Sequence, residues 1–497
     1  MFTSSIDDTE SGVDCRAHRG RCHLSNFTFN GIESDVPESC RSGVSGPKRG
    51  GFVLWIAFAL FLVFPLGSFA QQPLGLDMAS VAALAKTRSW TSKQAHQDAA
   101  TAAADARRVA SARWGQINFQ SQYLRFNDPI HIESPIPSNL VPVLGLKSLS
   151  TPLAPQDNLH ADLEAGYPVF TGGKIENAIK ATREASRASA EAATDTDNDV
   201  ILAAERNYLT VLLARQVVDL NTVALQSYSE HLAHAQTSYR LGTAAKYDVI
   251  RADAAVAEQE KRLTEAKNQL ALAEAALRTS LALEDSTPIE INGQLLEIGD
   301  AVDLNASMEA AVQSSPLLKA LRDKVAAFRS GVRVQEADYL PQITAISGRE
   351  LVTSKLSQTD PTWFAGARAT LQLWDGGERR ARVSQARSQL QSTEFEYRHA
   401  EEQVRLAVRS AYLDLQSQRS ELVSAQKAAD RSGESLRLAN ERFKVGTGTS
   451  LEVLDANVSF TASQIGIQQA LYQIDLAYLR IHRFQGDVAE ITTRIQK

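Results

Sequence analysis

The sequence predicts a mainly α-helical fold with a membrane β-barrel portion, built as a tandem repeat of long coiled-coil helices and strand pairs. Three observations carry that expectation. Motifs recur at a constant offset of 204 residues. A seven-residue apolar stripe runs through two long proline-free segments. Between the helical segments lie stretches that alternate apolar and polar side chains with a period of two.

The repeat is the strongest of the three, because self-similarity at a fixed period decides the architecture of the whole chain. Phe170-Thr-Gly172-Gly173 matches Trp374-Asp-Gly376-Gly377, and Tyr208 matches Tyr412. Tyr239-Arg-Leu241-Gly242-Thr243 matches Phe443-Lys-Val445-Gly446-Thr447, and Asp248-Val-Ile matches Glu452-Val-Leu. Each pair is 204 residues apart, so no gap falls across more than a hundred positions. Upstream, Gln116-Ile117 matches Gln342-Ile343 at a spacing of 226, and the surplus falls in a proline-rich loop.

Taken from the N-terminus, residues 1–47 read as a leader of doubtful translation. Lys48, Arg49, an apolar run over 52–66 and Ser68-Phe69-Ala70 read as a secretory signal peptide over 48–70, cut after Ala70. The apolar run is short for the roughly 20 residues that span a bilayer. Cys15, Cys22 and Cys40 all lie in the leader, where Cys-x2-His-x3-Cys-His resembles metal-ligand spacing without a periodic scaffold around it. The chain after the signal has no cysteine, hence no disulfide and no lipidation site, and carries 46 basic against 51 acidic residues. An acidic balance gives no footprint for nucleic acid.

The first repeat is expected over 71–285, a linker over 286–300, the second repeat over 301–487 and a tail over 488–497. Each repeat opens with helix, at about 77–113 and 302–337; Ser315-Pro316 suits a fresh helix start. Ile117, Phe119 and Tyr123 then alternate with Asn118, Gln120 and Gln122. Asp128–Asp157 holds six prolines and reads as an outer loop. Leu159, Ala161, Leu163, Ala165, Tyr167 and Val169 form the apolar face of a second strand. Trp363, Ala365, Ala367, Ala369, Leu371 and Leu373 do the same in the second repeat, after a loop near 355–362. Strands of about ten residues with this dyad pattern suit a membrane barrel, but four are too few to close one. Three chains would supply twelve.

Long helices follow at 174–240 and 378–444. Ala204, Val211, Val218, Leu225, Leu232 and Tyr239 keep a strict heptad, as do Val408, Leu415, Leu422, Ala429, Leu436 and Phe443. At 1.5 Å per residue each helix is about 100 Å long. Both end at a glycine suited to a left-handed cap, Gly242 and Gly446. Helices restart at 246–283 and 450–485. The Gly172-Gly173 and Gly376-Gly377 pairs mark bends from strand to helix, with Phe170 and Trp374 suited to an aromatic belt.

With these features together, the chain after the signal resembles the TolC-like outer-membrane efflux proteins over essentially its whole length. Two matched turns, Tyr239–Asp248 and Phe443–Asp455, within one repeat make the resemblance specific. It implies a homotrimer: a 12-stranded barrel in outer-membrane lipid, four strands per chain, above a periplasmic α-barrel. It implies a passive exit channel of a tripartite efflux pump or type I secretion system. A periplasmic adaptor and an inner-membrane pump are the implied partners, and no cofactor. Shorter helices would stack end to end along the long ones.

The resemblance also implies a periplasmic gate with lumenal carboxylates. Residue by residue these fall on Glu452 and Asp455, with Asp248 as the acceptor of the first turn. The acids are three apart, on one helix face, and a helix N-terminus also favours acids by its dipole. Two donors of the family's latch are replaced here by Phe443 and Gly448, so Lys246, Arg251 or Lys444 would substitute, or the closed state is held otherwise. Leu241, Gly242, Thr243, Val445, Gly446 and Thr447 resemble the adaptor-docking tips, with a plain helix-capping turn as the alternative. His231 and His234, three apart on a helix, could chelate a metal, but no third ligand is evident and they read as surface histidines. The competing reading, from another class, is a periplasmic adaptor or coiled-coil scaffold, and no catalytic arrangement or phosphate-binding loop is apparent.

Overall fold

In the computed structural model, described here for residues 74–145, 148–154, 156–295, 302–352 and 363–486, the elements follow the expected order. They are β1 (Leu74–Leu76), α1 (Met78–Arg88), α2 (Trp90–Ser111), β2 (Gln116–Arg125), β3 (Ile130–Pro135), α3 (Val141–Leu144), β4 (Ser148–Ala154), β5 (Asp157–Phe170), α4 (Lys174–Arg240) and α5 (Lys246–Ser280). The second half holds β6 (Ile289–Ile291), α6 (Leu304–Ser314), α7 (Pro316–Glu336), β7 (Gln342–Val352), β8 (Trp363–Thr370), α8 (Glu378–Lys444) and α9 (Ser450–Gln485). Both long helices have 67 residues, with the bounds that the heptads give. The leader with its cysteines, the signal segment, the 355–362 loop and the 488–497 tail lie outside the described residues.

Each opening helix is broken in two, at Ser89 and at Ser315, where the backbone turns extended (ψ 133° and 121°). Pro316 follows the second break and cannot donate to Val312. Ser92 on α2 donates to Asp197 of α4 at 2.6 Å, and Asn207 of α4 reaches Ala276 near the end of α5. So α2 and α5 lie one after the other along α4. The main hydrophobic core sits at that junction. Leu76, Val81, Ala85, Leu277, Leu281 and Leu479 enclose Tyr208, Leu209 and Leu212 of α4. Two strands not foreseen from sequence, β1 and β6, pair in parallel over it. Three residues each are too few for a periodic signal.

In the second repeat the expected stripe is the buried seam as far as Ala429, with Val408, Leu415, Leu422 and Ala429 all at most 5% exposed, while its last two members, Leu436 and Phe443, are half-buried. In the first repeat it is not. Beyond Ala214 the buried positions are Asn221, Ala224, Tyr228, His231 and Ala235, while Val218, Leu225 and Leu232 are half-buried and Tyr239 is exposed. A straight α-helix drifts by about 20° per heptad against a strict seven-residue repeat. Two polar residues, Asn221 and His231, then occupy the seam.

Strands β2, β5, β7 and β8 form one antiparallel sheet in that order. Ile117 faces Ala165, Phe119 faces Leu163, Tyr123 faces Leu159, and Tyr167 faces Ala345, which faces Ala367. Directly opposed residues share a face, so one face is apolar, with Arg349 between Leu163 and Trp363 as its one charged member among these rows. The other face carries Gln116, Asn118, Gln120 and Gln122 opposite Gly166, Glu164, Asp162 and His160. Every residue of β2 and β8 is exposed, and the outer edge of each is unpaired among the described residues. The proline-rich loop is not irregular throughout: β3 and β4 pair as a hairpin.

The strand–helix bends fall where the glycine pairs predict, with φ of 62° and 80° at Gly172 and Gly173, and 63° and 94° at Gly376 and Gly377. Gly115, before β2, was not singled out in the sequence. Its φ is 73°, and a Cβ there would meet the Gly166 carbonyl oxygen at 2.2 Å. Only glycine lets β2 start this close to β5.

Candidate functional site: the paired helix turns

The two turns at the far end of the long helices repeat each other bond for bond. In the first, the amides of Leu241, Gly242, Thr243 and Ala244 donate to the carbonyls of Thr237, Tyr239, Ser238 and Ser238. In the second, those of Val445, Gly446, Thr447 and Gly448 donate to Glu441, Phe443, Arg442 and Arg442. Gly242 and Gly446 both have φ 77°. Each threonine hydroxyl donates to the same carbonyl as its own amide. The apolar side chains at the tips, Leu241 and Val445, are each 74% exposed.

The helix starts beyond the turns differ. Thr449 caps α9 by accepting from the Glu452 amide at 3.3 Å. Ala245 has no side-chain acceptor, so α5 relies on Asp248, which accepts from the Ala245 amide at 3.3 Å. Asp248 therefore serves its own helix, half-buried beside a cleft of about 270 Å³ lined by Ser238, Thr243, Phe443, Gly448 and Ser450 among others. Glu452 faces Arg442 at 3.7 Å, and Asp455 is exposed one turn on.

Within a single chain none of the expected stand-ins for the latch is engaged. Lys246, Arg251 and Lys444 make no ion pair among the described residues. The two departures from the family pattern have physical reasons instead. Gly448 folds back on α8, where a Cβ would stand 2.9 Å from Arg442 Cβ and 3.0 Å from the Phe443 amide nitrogen. Phe443 packs against the His231 ring with centroids 4.7 Å apart.

His231 is where the sequence reading fails most clearly. It is no surface histidine but 3% exposed, and its Nε2 lies 2.8 Å from the hydroxyl of Ser450, itself 1% exposed. Burial pushes its pKa down to about 4; the neighbouring His234 pushes the same way and Asp248 opposes. The imidazole is thus neutral at pH 7. It ties α4 of the first repeat to the first turn of α9 in the second. Ser227, one turn up, donates to Asn457 Oδ1 at 2.7 Å and repeats the tie. The signal for it in the sequence is the seam itself: His231 is seven residues beyond Ala224. No cluster of three or more metal-ligating side chains occurs among the described residues.

With this geometry in place, comparison with known proteins is decisive. The family model for outer membrane efflux proteins matches residues 145–283 and 308–487. The outer membrane efflux protein BepC of Brucella suis is 24% identical over 320 residues, 63% of this chain and 69% of BepC. Among solved structures, the CmeC outer membrane channel of Campylobacter jejuni superposes with a TM-score of 0.69 at 16% identity, over 84% of this chain and 89% of that one. The outer membrane protein VceC of Vibrio cholerae gives 0.68 at 17% identity, over 82% and 96%. The family is one of channels rather than enzymes or periplasmic adaptors. The chain belongs to the outer membrane efflux protein family, and it is an outer-membrane efflux channel.

Proposed function

We propose that three copies of the chain close into one 12-stranded barrel over a helical tube. The assembly would act as the passive exit duct of a tripartite efflux pump or type I secretion system. The observation that carries the reading is the pair of open edges on a sheet with one apolar face. An unpaired strand edge cannot face hydrocarbon, because each free amide and carbonyl there costs several kcal/mol. Joining β8 of one copy to β2 of the next removes both edges. In this reading the repeats 71–285 and 301–487 each supply one strand pair and one helical hairpin. An adaptor lies against Leu241, Gly242, Thr243, Val445, Gly446 and Thr447, and an inner-membrane pump drives transport.

Asp455 and Glu452 are the lumenal carboxylates of the periplasmic gate, with Asp248 beside them. Threefold symmetry would set Asp455, the exposed one, as a ring of three charges that attracts cations. The native mass of residues 71–497 extracted from outer membranes tests the assembly: a detergent-dependent trimer is expected, and a water-soluble monomer would refute it. For the gate, replacing Glu452 and Asp455 together by Ala should weaken cation selectivity in a planar bilayer. Unchanged selectivity and unchanged block by multivalent cations would remove the assignment.

A further inference from the structure

Charge is not spread evenly along this acidic chain. The four stretches next to the sheet, 105–114, 174–187, 329–338 and 375–387, hold 13 basic and 7 acidic residues. That is an excess of 6 positive charges in a chain whose net is −6. They are the end of α2, the start of α4, the end of α7 and the start of α8, each joined directly to a strand of the sheet. Neighbouring contacts run α2–α4, α4–α7 and α7–α8, the same order as the strands β2, β5, β7 and β8. The basic residues therefore form one band across the wall, just below the sheet.

Ion pairing does not explain the excess. Six of the seven carboxylates are already used: Asp105, Glu184, Glu336, Asp338, Asp375 and Glu378 each sit within 4 Å of an arginine or lysine. Six cations are left with no carboxylate partner among the described residues: Arg107, Arg113, Lys180, Arg183, Arg333 and Arg380. All six are exposed. Five are arginines, whose planar fork matches phosphate oxygens two at a time. Immediately on the sheet side of the band stand Trp114 and Trp374, 80% and 86% exposed, with Leu373 at 85%. Tryptophan at the edge of an apolar face marks the headgroup level of a bilayer.

We propose that this collar binds the phosphate headgroups of anionic phospholipid in the leaflet that faces the helical tube. The inference rests on the closed membrane barrel proposed above. Aromatic rings set the depth and the unpaired guanidinium groups take the phosphates, so the collar fixes the height of the barrel in the bilayer.

The test is native mass spectrometry of the full mature protein in detergent, titrated with phosphatidylglycerol or with phosphatidylcholine. The expected result is retention of several phosphatidylglycerol molecules per particle and far fewer phosphatidylcholine. In R107Q/R113Q/R183Q/R333Q/R380Q, apparent affinity should fall by roughly fivefold per arginine engaged at low salt, with particle mass unchanged. Equal retention of the two lipids, or equal retention by the variant, overturns the proposal. So does a variant that keeps its lipid and changes the ion selectivity of the pore, since the band would then line the lumen. The same spectra read the assembly independently: a lipid-free monomer refutes the barrel and the collar with it, whereas a lipid-indifferent trimer refutes the collar alone.

Discussion

Acid should loosen the turn end of the tube through His231. Its imidazole is neutral and buried, accepting from or donating to Ser450 at 2.8 Å and lying against Phe443. Burial lowers its pKa to about 4, from 6.5 in the unfolded chain. The locally unfolded state therefore binds more protons between those two values, and stability rises with pH across the window. The contribution is fully present above pH 6.5, fades as pH falls, and is lost by about pH 4. At pH 5 the two values predict a loss of about 2 kcal/mol relative to pH 7.5, a roughly thirtyfold rise in the opening equilibrium. The neighbouring His234 adds to the lowering of the His231 pKa and Asp248 opposes it. Amide hydrogen exchange reads the opening directly, after division by the intrinsic chemical rate at each pH. Protection over 228–235 and 450–457 should drop about thirtyfold between pH 7.5 and 5, while the mid-tube core around Leu209 and Leu277 stays protected. In His231→Gln, which does not titrate, the drop should vanish. An equal drop in that variant, or none in the wild type, would refute the reasoning.

Other perturbations have equally definite outcomes. Gly115→Ala forces a Cβ to within 2.2 Å of the Gly166 carbonyl oxygen at a positive φ; it should cost about 1–3 kcal/mol and lower the temperature at which the β signal melts by circular dichroism. Leu415→Ala empties a site that is fully buried between α8 and α9, and about 2–5 kcal/mol of stability should go with it, seen as an earlier helical melt by circular dichroism. Thr449→Ala removes the side-chain cap of α9 for about 1 kcal/mol. Its exchange signature should be confined to the first turn, Ser450–Val453, and should leave the first-repeat turn unchanged.

How much of this was legible beforehand depends on the length of the signal. The bounds of α4 and α8, 67 residues each, follow from heptads that run between glycines, and so does the seam of Val408, Leu415 and Leu422. The register of the sheet follows from alternation, because a one-residue slip would turn every apolar side chain to the other face. What escaped was short or polar. Leu74–Leu76 and Ile289–Ile291 are strands only because each completes the other. Asn221 and His231 are in the seam through helix geometry, against their own polarity. The tie between the repeats at this end is a buried imidazole on Ser450; its place in the seam is readable from the spacing to Ala224, but its partner on α9 is revealed only by the packing of α4 on α9.

The matching hydrogen bonds of the two turns have one more consequence. Both turns hang from helices of 67 residues that leave the sheet through equivalent glycine pairs. The tube is therefore a pair of rulers with the same number of divisions. One heptad inserted into α4 alone would lower its turn by about 10 Å and leave the two turns of the chain at different levels. Such a protein can grow longer or shorter only when both copies change together, so the distance that it spans is inherited in matched steps.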